Sequence, residues 1–428
     1  MRPFERGTMQ KRRLAFGAMV AVGALGFSAC GQDDGTSADE GTTTIVWNMW
    51  SGDAESEQKL RDQMAVAQGL VGNDITIELQ TAPWADFFTK LNANMASGKV
   101  ACVTAMNGQR LTGYTEAFLP LGEEELETAG ISRDDYNPGA LSVMEHDSTL
   151  YGLPYDTATM FLFYNADLFE QAGVALPTND WTIDEFEQAA RQITANTGVK
   201  GFAVSIDEFQ WLSLPMAKSG LQPVNDDGEL ALTDPAFVEA ATWYGDLVTE
   251  AGVSAAPPSA AETAWDPTQF ENGQAAMIID GTWNATRYTD EGLPFTGGAV
   301  RLPAGDAGAF GVALGSGYGV AANCEEKEAA LEVLGALTGP EVQQVIAEQG
   351  GYPAQLGSQP LYFEALPASS RDVLTAAFTA GFDGSTAQRV NDQWTQVATA
   401  MPNELVSVYA GQSSMADALE SLQSRFAR

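Results

Sequence analysis

Between residues 44 and 106 the chain alternates strand, helix, strand, helix, strand. No other feature of the sequence limits the fold as much. The run 44–50 is β-rich, with Ile45, Val46, Trp47 and Trp50. A polar stretch of helical character follows at 55–69, and 75–80 places Ile75, Ile77 and Leu79 at period two. Residues 84–97 put Phe87, Leu91 and Met95 on one helical face, and Gly98 stops that helix. The apolar run 101–106 reads as a third strand. This succession builds a mostly parallel sheet flanked by helices.

A second α/β set follows. Residues 160–164 read as a strand. Thr182, Ile183, Asp184 and Glu185 form a capping box that opens a helix with Ile183, Phe186, Ala190 and Ile193 on one side. Residues 201–206 are expected as a strand. Helix 234–250 aligns Phe237, Ala241, Tyr244 and Val248 and closes at Gly252. Strands are expected at 275–279, 298–302 and 317–322, and helices at 325–337 and 340–349. The last helix carries Met415, Leu419, Leu422 and Phe426. A chain of 428 residues is too long for one core and suits two domains. No internal repeat of solenoid length is visible.

The N-terminus addresses the chain for export. Arg2, Arg6, Lys11, Arg12 and Arg13 make a basic start, 14–29 is uncharged and apolar, and Cys30 ends the run. The apolar part is too short for a comfortable membrane span. Phe27, Ser28, Ala29 and Cys30 look like a bacterial lipoprotein box, with Phe27 where Leu is usual, so residues 1–30 are expected to be removed and Cys30 acylated. The alternative is a plain secretory signal with an incidental cysteine. Either Met1 or Met9 could be the start. Residues 31–43 are small, polar and acidic, as expected of a flexible tether. The other cysteines, Cys102 and Cys324, would sit in an oxidising compartment, either joined or as two buried thiols.

With 57 acidic and 21 basic residues the net charge is −36. Such a surface disfavours nucleic acid and anionic membrane, leaving membrane contact to the lipid alone. Signals for catalysis are mostly missing. His146 is the only histidine, too little for a histidine triad or metal cluster. Gly98 and Lys99 lack the rest of a phosphate loop. Gly315, Gly317 and Gly319 are expected as a bend before a strand, and Asn225 to Gly228 as a turn, since Pro223 spoils a calcium-loop pattern. No cofactor and no metal are expected.

Aromatic side chains at strand ends point instead to binding. In open α/β sheets ligands lie beyond the carboxyl ends of strands. Trp50 ends the first strand, Asn107 follows the third, Trp211 comes soon after 201–206, and Trp283 follows 275–279. An indole offers a flat apolar face for the C–H surface of a sugar ring, while Asn107, Arg110, Asp156 and Asp280 supply polar groups for hydroxyls.

Several segments resemble the family-one extracellular solute-binding proteins, the maltose-binding-protein-like receptors of ABC importers. They are 84–92 with Ala96, Ser97 and Gly98; 151–156 (YGLPYD); 162–169 with Ala172 and Gly173; 181–186; Ala276 to Trp283, which fits AM-x-x-x-G-x-W; and Gly351, Tyr352 and Pro353. The resemblance runs in order over nearly all of 44–428. One departure is Ala101 and Cys102 where the family often has Pro-Asp. It implies an α/β, two-lobed, hinged fold of the periplasmic-binding-protein type II, each lobe a mostly parallel sheet with flanking helices. Carried over by position, one lobe would be 44–156 plus 302–349 and the other 157–301 plus 350–428. Trp50, Ser51, Asn107 and Arg110 would face the cleft from the first lobe, Tyr155 and Asp156 would sit near the crossover, and Trp211, Asp280, Trp283, Tyr352 and Trp394 would come from the second. Relatives with Asp-Arg after the third strand use both for sugar hydroxyls, and here Gln109 precedes Arg110.

The expected function is a lipid-anchored receptor outside the cytoplasmic membrane that captures a sugar or oligosaccharide and hands it to an ABC permease driven by a separate ATPase. A monomer is expected. A polyamine, iron complex or peptide is the alternative solute, and a surface glycosidase the alternative class.

Overall fold

The computed structural model describes residues 42–427 except Thr263 and Gly384. The expected signal peptide, the acylated Cys30 and residues 31–41 of the expected tether lie outside the described residues. Thr43, expected at the tether's end, already belongs to the first strand.

The principal elements, in chain order, are β1 (Thr43–Trp50), α1 (Ala54–Gln68), β2 (Ile75–Ala82), α2 (Trp84–Ser97), β3 (Val103–Asn107), β4 (Leu153–Pro154), β5 (Met160–Asn165), α3 (Ile183–Thr197), α4 (Glu208–Ser219), α5 (Pro235–Thr249), β6 (Met277–Gly281), β7 (Gly297–Arg301), β8 (Ser316–Val320), α6 (Lys327–Thr338), α7 (Pro340–Glu348), α8 (Ala368–Phe382), α9 (Trp394–Tyr409) and α10 (Met415–Phe426). Local chemistry sets several boundaries. Asp53 accepts from the Ser56 N–H at 2.8 Å, and the Ser56 hydroxyl accepts from the Asp53 N–H at 3.0 Å, which starts α1. The expected box at α3 is present: Thr182 N–H donates to Glu185 at 2.8 Å, and Glu185 N–H donates to the Thr182 hydroxyl at 3.3 Å. Gly98 ends α2 at φ 65°, where other residues would be strained.

The first sheet has the order β2-β1-β3-β8-β4. β1 is parallel to β2 and β3, while β8 runs against β3 and β4. Ile45, Trp47 and Met49 alternate into its core, which also takes residues of α2, α6 and α7. The second sheet has the order β6-β5-β7, and here the mostly parallel expectation needs correction. Both of its pairings are antiparallel. The cause is that β5 is central and runs opposite to both neighbours, so the parallel contribution shrinks to single bridges of Lys200 and Ala203 to Ala275 and Ile278. Residues 201–206 therefore form no strand. They are apolar because they are buried, not because they join a ladder. β5 divides two cores by its pleat: Met160, Leu162 and Tyr164 face one, Phe161 and Phe163 the other.

The expected bend at 315–319 is β8 itself, inserted between β3 and β4. Its glycines serve close approach. A Cβ on Gly317 would lie 2.5 Å from the Leu153 carbonyl oxygen, a backbone atom that cannot swing away. Gly317→Ala is expected to cost about 1–3 kcal/mol, read as a lower urea midpoint with an unchanged slope. Asn225 to Gly228 form the expected turn, with Asn225 accepting from the Asp227 and Glu229 N–H groups and Gly228 at φ 79°.

The chain passes between the first core and the others at three adjacent segments. Tyr155 N–H donates to the Ser316 carbonyl at 3.0 Å, Thr157 N–H to Tyr352 at 3.2 Å, and Ala158 N–H to Leu314 at 2.9 Å. Cys102 and Cys324 are joined in a disulfide, with Cα atoms 5.0 Å apart, which closes the question their spacing left open. No helix among the described residues is long and apolar enough to cross a membrane.

Candidate functional site

The site is organised by the first turn of α4, four residues that strand-end reasoning passed over. Glu208 turns toward the short helical segment after β3 and meets Arg110 at 2.9 Å, both side chains being under 10 % exposed (8 % for Arg110, 7 % for Glu208). The second Glu208 oxygen accepts the indole N–H of Trp394, at the start of α9. Phe209 leans edge-on against Trp283, with centroids 6.4 Å apart. Gln210 donates to Asp280 at 3.1 Å. One turn of helix thus gathers residues from β3, β6 and α9. The signal available beforehand was a polar Asp-Glu-Phe-Gln stretch directly before a wholly buried helix.

On the first-core side the expected residues cluster. Trp50 lies edge-on to Trp84 at 5.0 Å and to Phe87 at 5.3 Å. The Arg110 guanidinium sits over the rings of Phe88 and Trp84, 4.4 and 5.2 Å from their centroids. Trp84, which strand-end reasoning left as a helix residue only, is 37 % exposed beside it. Arg110 Nε and Gln109 Oε1 are buried with no hydrogen-bond partner in the protein. Such atoms suit a polar guest, because a buried donor or acceptor left unmet costs about 1–3 kcal/mol. Tyr155 stacks on Tyr318 at 4.8 Å.

Other expected residues have structural duties. Asn107 is buried, accepts from the Gln109 N–H at 3.2 Å and donates to the Ser316 hydroxyl at 3.4 Å, shaping the turn that carries Arg110. The Ser51 hydroxyl is spent on Ser56 at 2.7 Å and on the Asp53 carbonyl, at the start of α1. Trp283, 39 % exposed, keeps an open indole face. Tyr352 packs against Tyr362, Phe363, Phe378 and Phe382, beside the crossing segments. Two readings are corrected. Trp211 is fully buried in the second core, its N–H on the Met401 sulfur, because α4 turns it inward behind Glu208. Asp280 is buried and accepts from Gln210, Gly281, Asn284 and Tyr288, so its carboxylate braces the end of β6 and has no capacity left for a ligand.

Burial pushes the Asp156 carboxyl up to about 7, although it accepts from the Ser316 N–H at 2.6 Å. Asp207 is likewise pushed up to about 7, by burial first and then by the charges of Asp280 and Glu208. Both values lie above the ordinary 3.8, so between about pH 4 and 7 the folded chain binds more protons than the unfolded one. Stability is therefore fullest below this window and falls as pH rises through it. The thermal midpoint is expected to drop between pH 5 and 7.5, and Asp207→Asn to flatten that slope.

The chain matches the model of the bacterial extracellular solute-binding proteins over residues 59–344, and it belongs to that family. It is 27 % identical to the galactooligosaccharide-binding protein of Bacillus subtilis over 69 % of this chain and 68 % of the relative. It is 24 % identical to the lactose-binding protein of Rhizobium radiobacter over 58 % of each chain. The structure superposes on an ABC substrate-binding protein from Listeria monocytogenes in complex with cycloalternan with a TM-score of 0.80, at 24 % identity, covering 90 % of this chain and 98 % of that one. Maltose-bound MalE3 of T. maritima gives 0.75 at 18 % identity, over 89 % and 99 %. The fold is thus the two-lobed, α/β solute-binding fold.

Proposed function

We propose that this protein is the substrate-binding component of an ABC importer, holding a sugar or oligosaccharide between two lobes. The observation that carries the reading is the aromatic-flanked polar bridge: Arg110 and Glu208, from opposite sides, with Trp394 bonded to Glu208 and Trp84, Trp50 and Trp283 nearby. Flat apolar rings beside charged hydrogen-bonding groups match the two faces of a pyranose. Relatives named for galactooligosaccharide and lactose binding support the solute class.

In this reading the lobes are 44–156 plus 302–349 and 157–301 plus 350–428, hinged at the three crossing segments. Ligand favours the closed arrangement by its differential affinity for it. Trp50, Arg110, Tyr155, Trp283 and Trp394 are the proposed ligand-facing residues retained from the sequence, with Trp84, Gln109 and Glu208 added. Ser51, Asn107, Asp156 and Tyr352 act as supports. The chain is a monomer, held outside the bacterial membrane by lipid on Cys30, and delivers its solute to a permease powered by a separate ATPase. It performs no catalytic step.

Calorimetry of the mature chain against a panel of mono- and oligosaccharides tests this. One saturable site of micromolar or tighter affinity is expected. Binding of a peptide or iron complex with no response to any sugar would overturn it.

A further inference from the structure

The floor beneath Glu208 carries more negative charge than a bridge to one arginine explains. Asp207 precedes α4 yet makes no capping bond with its side chain, and part of its surface stays open. Asp280 lies opposite, reached through Gln210. Asp266, on the helix Trp265–Glu271, is 1 % exposed, and neither of its oxygens makes a hydrogen bond of normal geometry. It is tied to the group through Ser205. That hydroxyl accepts from the Asp207 N–H at 3.0 Å and is the side-chain donor that draws Asp266 back toward ionisation. Burial first, then the charges of Asp207 and Asp280, hold Asp266 well above the ordinary carboxylate range.

Among the described residues no ion pair joins Asp207, Asp266 or Asp280 to a cation, and Arg110 is committed to Glu208. Carboxylates buried without a counter-charge are costly. A metal does not fit: among the described residues no three His, Cys, Asp or Glu side chains converge as ligands. A primary ammonium makes looser demands, since it offers three donors to acceptors at several angles. A neutral hydroxyl could donate to one oxygen but would leave the charge unbalanced.

We propose that this acidic floor, reached through Asp207, recognises a positively charged nitrogen on the solute, so that the preferred ligand is an aminated saccharide. The inference rests on the carbohydrate reading above and narrows it. The acidic surface of the chain, with its net charge of −36, would also draw a cationic solute inward.

The test is calorimetry on the mature chain at pH 7 with glucosamine oligosaccharides of one to four units, their N-acetylated forms and glucose oligosaccharides of matching length. Putrescine is a further arm. The aminated sugars are expected to bind at least tenfold tighter than either neutral set. Asp207→Asn should shrink that ratio toward one and Asp207→Glu should restore it, with thermal midpoints checking that each variant folds. Neutral sugars binding as well as aminated ones would overturn the inference while leaving the carbohydrate reading intact. Putrescine binding with no response to any saccharide would overturn both.

Discussion

Replacing Arg110 with alanine is expected to be among the most damaging single changes in this protein. Glu208 would be left buried, with the Trp394 N–H as its remaining partner here. Removing one member of a buried ion pair typically costs about 3–5 kcal/mol, because the other keeps its desolvation penalty without its compensation. Saccharide affinity should fall at least tenfold as well, since Arg110 also lies over Phe88 and beside Trp84. Urea unfolding and calorimetry measure the two losses. The diagnostic is the double variant. Glu208→Gln added to Arg110→Ala removes the stranded charge, so the pair should lose less stability than the two single losses combined, by about 0.5–3 kcal/mol. Strict additivity would mean that the two side chains do not form one unit.

The second large effect concerns Cys102 and Cys324. Their bond spans 222 residues and ties the start of β3 to the segment that leads into α6. On the chain-entropy view a cross-link closing so long a loop stabilises by about 4–5 kcal/mol, mainly by restricting the unfolded chain. Converting both cysteines to serine should lower the urea midpoint accordingly. Affinity for the solute should change less than threefold, because the bond lies away from Arg110 and Glu208. An unchanged midpoint would show that the packing around the bond carries the join by itself.

Legibility in the sequence followed the range of the interactions. The helix at 84–97 and the capping box at Thr182 and Glu185 were readable to the residue, because each is decided by side chains three or four positions apart. Residues 201–206 were misread because burial and strand pairing both favour apolar runs, and only the distant partner distinguishes them. The glycines at 315–319 were misread for the mirror-image reason: their lack of side chains answers to Leu153, Phe118 and Tyr151. In the site, Trp211 and Trp394 looked alike on paper. What separates them is tertiary: one indole meets the Met401 sulfur in the core, the other meets Glu208 beside Arg110. Glu208 itself was invisible because its partners lie 98 and 186 residues away. Arg110 was found because a family segment marked it.

A crystal structure of the mature chain with a bound saccharide tests the central claim most directly. The sugar is expected between the two sides, with hydroxyls within hydrogen-bonding distance of Arg110 or Glu208 and a ring face on Trp84, Trp283 or Trp394. Sugar found only on an outer face, with the Arg110–Glu208 bridge and its surrounding rings untouched, would contradict it.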